Sequence, residues 1–311
     1  MMETILPGPL QTSTPPTGAV VPHVSFEFFP PKTPELEQQL FAAVQRLAPL
    51  DPSYVSVTYG AGGTTRERTL GVIRRLLDET KLAPAAHLTC VEASREEVDE
   101  VIREYWAAGV RHIVALRGDP PGQLGGAYTP GPESYRHATD LVAAITAIAP
   151  FEVSVGGYPE KHPESPSIAH DIDVLKAKVD AGATRITTQF FLDTEQFFRW
   201  VDQVRAAGIA IPIVPGVMPV TSVKGLKRMA EISHARIPER IAKLFDGLDG
   251  DPATRNLVSA SASSEMCAEL VAQGFTDLHF YTMNRAELVY AVCRMLGVTP
   301  AAEPAVQEAS I

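Results

Sequence analysis

A glutamate stands inside an apolar run near the start of the chain. The run SFEFFPP places Glu27 between Phe26 and Phe28, and strand alternation puts both phenylalanines on the face opposite Glu27. A carboxylate on a buried strand is costly unless it is paired or protonated. The position therefore favours a functional acid over an ordinary structural residue.

Glu27 belongs to a larger set of residues that lie in or just after apolar runs. Together these residues belong to seven runs that predict strands. They are Glu27, Thr58, Tyr59, His87, Thr89, Arg117, Gly118, Asp119, Tyr158, His162, Gln189 and Arg285. If the strands close into a parallel barrel, their carboxyl ends meet at one face, where barrel enzymes hold their active sites. The sequence therefore predicts that these side chains converge on one mouth.

Several motifs favour structural interpretations. His112 is a lone strand histidine, which is more often a satisfied core residue than a ligand. His162 and His170 are too far apart for one helical turn and lack a matching carboxylate pattern, so we predict no metal site. The run GAGGTT at 60–65 matches neither a Walker A nor a Rossmann motif, and a flexible loop is as good an interpretation as phosphate binding.

The elements that must position these residues alternate along the chain. Short β-branched or apolar runs predict strands at 23–29, 54–60, 85–91, 111–118, 151–158, 184–191, 211–217 and 278–282. Between them, apolar residues at three- and four-residue spacing predict helices at 34–48, 66–80, 94–109, 138–149, 169–182 and 194–208. Three of these helices end at glycines suited to left-handed caps: Gly109, Gly182 and Gly208.

This alternation predicts an α/β fold, a single (β/α)8 TIM barrel spanning residues 23–299. Extra helices, at 238–248 and 254–273, are expected in the long gap before the last strand. Residues 1–22 and 300–311 are poor in large apolar groups and are expected to form flexible tails.

Composition narrows the classes of function. The 311 residues are 45% hydrophobic and suffice for one large core, and the net charge of -10 argues against nucleic acid as a partner. Three widely spaced cysteines, Cys90, Cys267 and Cys293, suggest neither a disulfide framework nor a zinc site, and therefore a reducing cytoplasm. The chain shows no signal-peptide pattern and no apolar run long enough for a membrane span.

Nine sequence blocks in register resemble the catalytic domain of methylenetetrahydrofolate reductases. The blocks are SFEFFPPK (25–32), VTYGAGG (57–63), HLTC (87–90), LRGDPP (116–121), YPEKHPES (158–165), KVDAGATRITTQFF (178–191), PGVMPV (215–220), LFDGL (244–248) and HFYTMNRAE (279–287). Their order and spacing agree with that family over about residues 23–299.

The resemblance implies an enzyme with non-covalently bound FAD. NADH or NADPH would reduce the flavin, which would pass a hydride to 5,10-methylenetetrahydrofolate and yield 5-methyltetrahydrofolate. The motif matches imply these flavin contacts: Thr58, Tyr59, Ala61, His87, Arg117, Gly118, Asp119, Tyr135, Tyr158, His162, Asp171 and Lys178. Arg117 and Lys178 suit the FAD diphosphate. Related enzymes are dimers or tetramers, so a homo-oligomer is expected.

The resemblance also implies a folate group made of Glu27, Asp119, Gln189, Tyr281 and Arg285. The methylene bridge must open to an iminium cation before it accepts hydride, so the departing nitrogen needs a proton. We expect apolar neighbours to keep Glu27 neutral so that it can deliver this proton. Asp119, as a carboxylate, would stabilise the cation and tune the flavin potential.

The match has departures. Gly225 follows Lys224 where bacterial relatives often carry a glutamine that contacts substrate. Val174 and Ala177 replace polar residues that some relatives use toward FAD, and Arg136 stands where a small residue is usual. A regulatory domain that responds to S-adenosylmethionine has no counterpart, so that inhibition is not expected. Two other functions stay open, a pterin-binding barrel that works without flavin and a barrel that serves as a scaffold.

Overall fold

The computed structural model describes residues 20–59, 66–119, 131 and 133–301, and in these residues every paired strand is parallel to its neighbours. The strands are β1 (His23–Phe28), β2 (Val55–Val57), β3 (Pro84–Thr89), β4 (His112–Leu116), β5 (Glu152–Gly157), β6 (Arg185–Thr188), β7 (Ile213–Val214), β8 (Gly216–Val217) and β9 (Asp277–Tyr281). All eight predicted strands are confirmed, the seventh in two pieces.

The sheet closes through a broken strand. The order of neighbours is β7-β6-β5-β4-β3-β2-β1-β9-β8, and β7 and β8 flank Pro215 in one continuous stretch of chain. Proline has no N–H to donate and a fixed φ, so it interrupts the ladder. Its carbonyl still accepts from the His279 N–H at 3.0 Å. Counting β7 and β8 as one position gives eight strands, which confirms the (β/α)8 barrel.

Helices alternate with the strands as predicted. In the described residues they are α1 (Pro34–Leu47), α2 (Arg66–Glu79), α3 (Arg95–Ala107), α4 (Ala138–Ile148), α5 (Ile168–Asp180), α6 (Thr194–Ala206), α7 (Val223–Ser233), α8 (Glu239–Leu244), α9 (Pro252–Ala272) and α10 (Glu287–Met295). The predicted glycine caps are confirmed, since Gly109, Gly182 and Gly208 all have positive φ.

Side-chain caps start several helices. The Ser94 hydroxyl accepts from the Glu97 N–H, and the Glu97 carboxylate accepts from the Ser94 N–H, which forms a capping box on α3. Such a cap stabilises a helix by about 1 kcal/mol. The cap therefore fixes where α3 begins after the loop that follows β3.

The extra helices before the last strand are confirmed as α8 and α9, with α7 preceding them. They cover a second hydrophobic cluster that includes Phe190, Leu226 and Phe245. This cluster lies beside the segment that follows β6. The insertion therefore supports one side of the barrel mouth.

The barrel strands separate apolar from polar residues. Phe26 and Phe28, which are 0% and 1% exposed, belong to the core between the strands and the helices. Burying a phenylalanine stabilises a fold by roughly 1.5–3 kcal/mol. The buried polar residues form the other face of the strands, and they include Ser25, Glu27, His87, His112, Ser154 and His279. The interior of the barrel is therefore polar.

Some expectations fall largely or wholly outside the described residues. The predicted tails 1–22 and 300–311 lie mostly there, as do Ala61 and the GAGGTT run. Within the described ranges, no helix combines the length and the apolar character needed to cross a bilayer.

Candidate functional site

The carboxyl ends of the strands surround a cavity of about 450 Å³. Its walls contain eight residues of the predicted site: Arg117, Gly118, Asp119, Tyr158, His162, Asp171, Lys178 and Gln189. These residues follow or end three different strands or lie on α5. The structure therefore brings them together as the sequence predicted.

Two smaller cavities are lined by other residues of the predicted site. Tyr281 and Arg285 line a cavity of about 290 Å³ together with Arg255 and Thr221, and Tyr59 lines one of about 110 Å³ with Thr89. Glu27 is the register partner of Tyr281 across β1 and β9. The folate residues implied by the resemblance are thus divided: Asp119 and Gln189 line the main cavity, Tyr281 and Arg285 line the second, and Glu27 lines neither.

Tyr135 and Thr58 are placed differently. The Tyr135 hydroxyl donates to Asp99 on α3 at 2.7 Å, and Tyr135 is not among the residues that line the three cavities. The Thr58 carbonyl accepts from the Thr69 hydroxyl at 2.9 Å, which joins the end of β2 to α2. In this structure both residues make contacts that hold the fold.

The carboxylate of Glu27 meets two imidazoles. His87 Nε2 lies 3.2 Å from Glu27 Oε2, and His279 Nε2 lies 3.7 Å from the same oxygen. All three residues are less than 10% exposed. The expectation that apolar neighbours surround this carboxylate is wrong, because Phe26 and Phe28 point to the helices on the other side of the strand.

These neighbours set the acidity of Glu27. Burial raises the pKa of Glu27, but the charge of His87 and the approach of both imidazole Nε2 atoms to the carboxylate outweigh it. The pKa falls from 4.5 to about 2. The ionised carboxylate is therefore favoured in this arrangement, whereas the sequence predicts the neutral acid.

Below Glu27, the interior of the barrel contains aromatic and hydroxyl groups that the sequence analysis missed. His279 Nδ1 lies 2.8 Å from the Ser25 hydroxyl, and its ring stacks on Tyr54 with centroids 5.6 Å apart. Ser25 and His279 stand two residues before Glu27 and Tyr281 on their strands. That period of two was the available signal, because it places them on the same face as the predicted residues.

His112 lies deeper and is confirmed as a structural histidine. Its Nε2 lies 2.7 Å from the Ser154 hydroxyl, and burial together with Arg185 lowers its pKa to about 3. Among the described residues, no cluster of His, Cys, Asp and Glu is arranged to hold a metal ion.

Arg117 is held by an acidic partner that lines the same cavity. Its guanidinium donates to both carboxylate oxygens of Glu164, at 2.5 and 2.9 Å, and this pairing raises the pKa of Arg117. Glu164 lies in the YPEKHPES block but is not among the predicted site residues. Gly118 follows with φ of +87°, and a Cβ there would lie 2.7 Å from Val91. The described residues that follow β4 directly, 117–119, are therefore tightly positioned.

Lys178 provides a second cation to the same cavity. Its ammonium donates to the Gly156 carbonyl at 3.4 Å, while Asp171 accepts from the His162 N–H at 2.7 Å. Burial lowers the pKa of Lys178 to about 8, although Asp171 opposes the shift. Two cations on one cavity wall can bind a diphosphate.

Gln189 and Tyr281 flank the point where β6 meets β8. The Tyr281 hydroxyl donates to the Thr188 carbonyl at 2.6 Å, and the Thr188 hydroxyl accepts from the Gly216 N–H at 2.9 Å. The Gln189 side-chain oxygen accepts from the Phe190 N–H at 3.0 Å, which leaves its NH₂ group available to a ligand. The structure thus orients both side chains near the barrel mouth.

The structure gives a local role to three of the residues that depart from the family pattern. The Gly225 N–H donates to the Ser222 hydroxyl that caps α7, so this position begins a helix. Val174 lines the main cavity and presents an apolar surface there. The Arg136 N–H donates to Asp140, which caps α4.

Comparisons with known proteins agree with this geometry. The family model described as methylenetetrahydrofolate reductase matches residues 17–297. The 5,10-methylenetetrahydrofolate reductases of Pectobacterium carotovorum and Escherichia coli K12 are both 48% identical, over 89% of this chain and 91% and 92% of theirs. Methylenetetrahydrofolate reductase 1 of Schizosaccharomyces pombe is 40% identical over 88% of this chain and 46% of its own.

One solved structure supports the fold. A protein from Clostridium thermocellum, described as binding two copies of 5-methyl-5,6,7,8-tetrahydrofolic acid, matches with a TM-score of 0.57 and 14% identity. The match covers 90% of this chain and 96% of that one. At 14% identity this match is evidence for the fold alone. The family model and the relatives are evidence for the family, because they cover nearly the whole barrel. The chain belongs to the methylenetetrahydrofolate reductase family.

Proposed function

We propose that the protein reduces 5,10-methylenetetrahydrofolate to 5-methyltetrahydrofolate, using FAD and either NADH or NADPH. The observation that carries the proposal is the position of Glu27, a buried acid beside the barrel mouth and in register with Tyr281. A carboxylate held between two imidazoles can exchange a proton with them, as general acid catalysis requires. Family membership supports folate as the substrate.

The donor set of the main cavity fits FAD. Arg117 and Lys178 would bind the diphosphate, and Asp119, Tyr158 and His162 would bind the rest of the cofactor. The cavity combines these polar groups with the apolar surfaces of Val174 and other side chains, as cofactor sites do. When bound, FAD supplies the acceptor for the hydride of the nicotinamide and the donor for the folate.

The residues of the folate group would divide the remaining work. Gln189 would bind the pterin edge with its free amide, Tyr281 would form the wall between the two cavities, and the exposed Arg285 would bind the acidic end of folate. The larger cavity would then hold the flavin beside the pterin. Substrate and nicotinamide would use the same place in turn.

Two acids would have different roles in the reaction. Glu27 would protonate the departing nitrogen of the five-membered ring, so that the ring opens to the iminium cation. Asp119, in the wall of the cavity, would stabilise that cation as a carboxylate. Proton transfer and charge stabilisation would therefore come from different strands.

The setting of the reaction follows from the same family membership. We propose a cytoplasmic enzyme that forms dimers or tetramers. All three cysteines are free and buried, which agrees with a reducing compartment. Sedimentation velocity of the purified protein measures the assembly directly.

Anaerobic stopped-flow spectroscopy tests the function. The purified protein should absorb near about 450 nm, lose this band with NADH or NADPH, and regain it with methylenetetrahydrofolate. E27Q should keep the first step within about twofold and slow the second by about 10²–10⁴-fold. E67Q removes a charge from the exposed surface of α2 and should change neither step.

A pterin-binding barrel without flavin is the competing function. It predicts a colourless protein that FAD does not reconstitute. That result would exclude the flavin mechanism, and equal loss of both steps in E27Q would exclude the acid role of Glu27.

A further inference from the structure

Four inward-facing side chains on β1 and β9 form two registered pairs. Ser25 is the partner of His279, and Glu27 is the partner of Tyr281 one step nearer the mouth. Ser25 and His279 are each 2% exposed. A histidine therefore lies directly beneath the proposed acid, in a layer that the flavin and folate groups described above do not include.

The hydrogen bonds of Ser25 are compatible with one tautomer of His279 in particular. The Ser25 hydroxyl has one proton and donates it to the Leu278 carbonyl at 3.3 Å. In that arrangement its oxygen accepts from His279 Nδ1, which lies 2.8 Å away. With Nδ1 protonated, Nε2 of neutral His279 has a free lone pair, and this atom faces Glu27 Oε2 at 3.7 Å.

The surroundings hold the ring in this orientation. Tyr54 stacks on the His279 ring at an interplanar angle of 14°, and Tyr281 meets it edge-on with centroids 5.3 Å apart. The charged and titratable groups facing the pair are His87, Tyr54, Tyr281, His112 and Arg185. His87 is the other ionisable side chain that lies within 4 Å of the Glu27 carboxylate in the described residues. Both imidazoles approach the same oxygen of that carboxylate, Oε2.

We propose that His279, oriented by Ser25, is a positioning residue that stores the proton of Glu27 between turnovers and returns it when substrate binds. This inference rests on the acid role proposed for Glu27. Before substrate binds, His279 Nε2 carries the proton and Glu27 is a carboxylate. Closing the 3.7 Å gap to a hydrogen bond of about 2.9 Å needs only a small side-chain movement.

The proton balance of the step is complete. The proton passes from His279 Nε2 to Glu27, and from Glu27 to the departing nitrogen, whose bond to the methylene carbon breaks with both electrons staying on nitrogen. The methylene carbon, now part of the iminium, accepts the hydride of the proposed mechanism. The pair is then one proton short and takes one from water after product leaves, because the net reaction consumes one proton.

The test follows flavin reoxidation by methylenetetrahydrofolate from about pH 5.5 to about pH 9 in single-turnover stopped flow, a range that spans the titration of histidine. Three variants separate the contacts. H279Q keeps a donor near Glu27 without a titrating group, H279N keeps a donor near Ser25, and S25A keeps the imidazole but removes its acceptor. H112Q is the matched control, a buried histidine changed in the same barrel without contact to Glu27.

A proton store predicts a pH-dependent defect. At pH 7, H279Q and H279N should reoxidise at least about tenfold more slowly than wild type, and the loss should shrink at acid pH as Glu27 itself becomes protonated. The kinetic pKa should fall by about one unit or more, and S25A should shift it in the same direction by less. Flavin reduction by the nicotinamide should stay within about twofold of wild type, because it needs no proton from Glu27.

Other outcomes overturn the proposal distinctly. A loss equal at all pH values, or full recovery in H279N, would mean that His279 only packs against Ser25. If the His279 variants fail to fold, S25A still tests the proposal. A pH profile of flavin reoxidation in S25A that equals that of wild type would reject the role of His279 in holding the proton. Failure of the proposed function looks different, because wild type would not reoxidise with folate or E27Q would behave as wild type.

Discussion

Arg117 and Glu164 both line the main cavity and form a two-point ion pair, with N–O distances of 2.5 and 2.9 Å. The pair cancels one of the two cations proposed for the FAD diphosphate. We expect E164Q to bind FAD about fivefold more tightly, because it removes a negative charge that repels the diphosphate and leaves Arg117 uncompensated. Fluorescence titration of the apoprotein with FAD measures the dissociation constant.

A control separates local charge from net charge. E195Q removes one carboxylate that is 83% exposed and should leave FAD affinity unchanged. Weaker binding in E164Q would mean that Glu164 holds Arg117 in its binding geometry, and that this orientation outweighs the repulsion.

Lys178 predicts a pH dependence of cofactor binding. Burial lowers its pKa to about 8, so the ammonium loses its proton just above physiological pH. FAD affinity should fall by about tenfold between pH 7 and pH 9, because the diphosphate needs the protonated form. K178M should bind FAD weakly, and its affinity should not change with pH. K176M is the control, because Lys176 forms an ion pair with Asp180 on the same helix, and this variant should keep the pH dependence of wild type.

The same residue affects stability with a definite sign. Below pH 8 Lys178 is protonated in both folded and unfolded chains, and its burial is a cost. Between pH 8 and 10.5 the folded chain releases the proton while the unfolded chain keeps it, so stability rises with pH. Urea unfolding of wild type and K178M should show a difference in free energy that narrows over this window.

Gly216 is expected to be intolerant of a side chain. An added Cβ would overlap the Thr188 carbonyl and lie 2.7 Å from the Tyr281 ring. G216A should lose about 2 kcal/mol or more in free energy of unfolding, since overpacking a rigid site forces the backbone apart. G71A is the matched control on α2, where nothing lies within 4 Å, and it should gain about 0.5–1 kcal/mol.

The three cysteines should be unreactive in the folded protein. Burial raises the pKa of Cys90 to about 11 and that of Cys293 to about 12, and it also raises that of Cys267. Little thiolate exists at pH 8, so a thiol reagent should label none of them until the chain unfolds. Intact-mass spectrometry before and after denaturation counts the labels. Rapid labelling of Cys90 would show that the loop carrying Arg117 opens.

The fold was largely predictable because its signals are local. Each strand run and helix period lies within about 15 residues of sequence, and glycines such as Gly109 and Gly182 mark their helix ends by backbone conformation alone. The convergence of Arg117, Lys178 and Gln189 followed from the parallel topology, which requires the carboxyl ends to meet.

The partners of Glu27 were not predictable in the same way. Strand alternation correctly puts the neighbouring phenylalanines on the opposite face of β1, but it does not indicate which side chains face Glu27 instead. The groups that set the pKa of Glu27 are His87 and His279, brought in by β3 and β9. Ser25 and its partner His279 are 254 positions apart in the chain, a distance at which no local pattern reports contact.

The interruption at Pro215 has a consequence for how the barrel assembles. β1 and β9 share five registered pairs, whereas β7 and β8 each have two with their neighbours. The seventh strand position, formed by β7 and β8, is thus the seam of the barrel, the place where neighbouring strands share the fewest registered pairs. We expect the barrel to close there last during folding. Local fluctuations that separate neighbouring strands should also start at this seam, so its backbone amides should exchange with deuterium before those of β1.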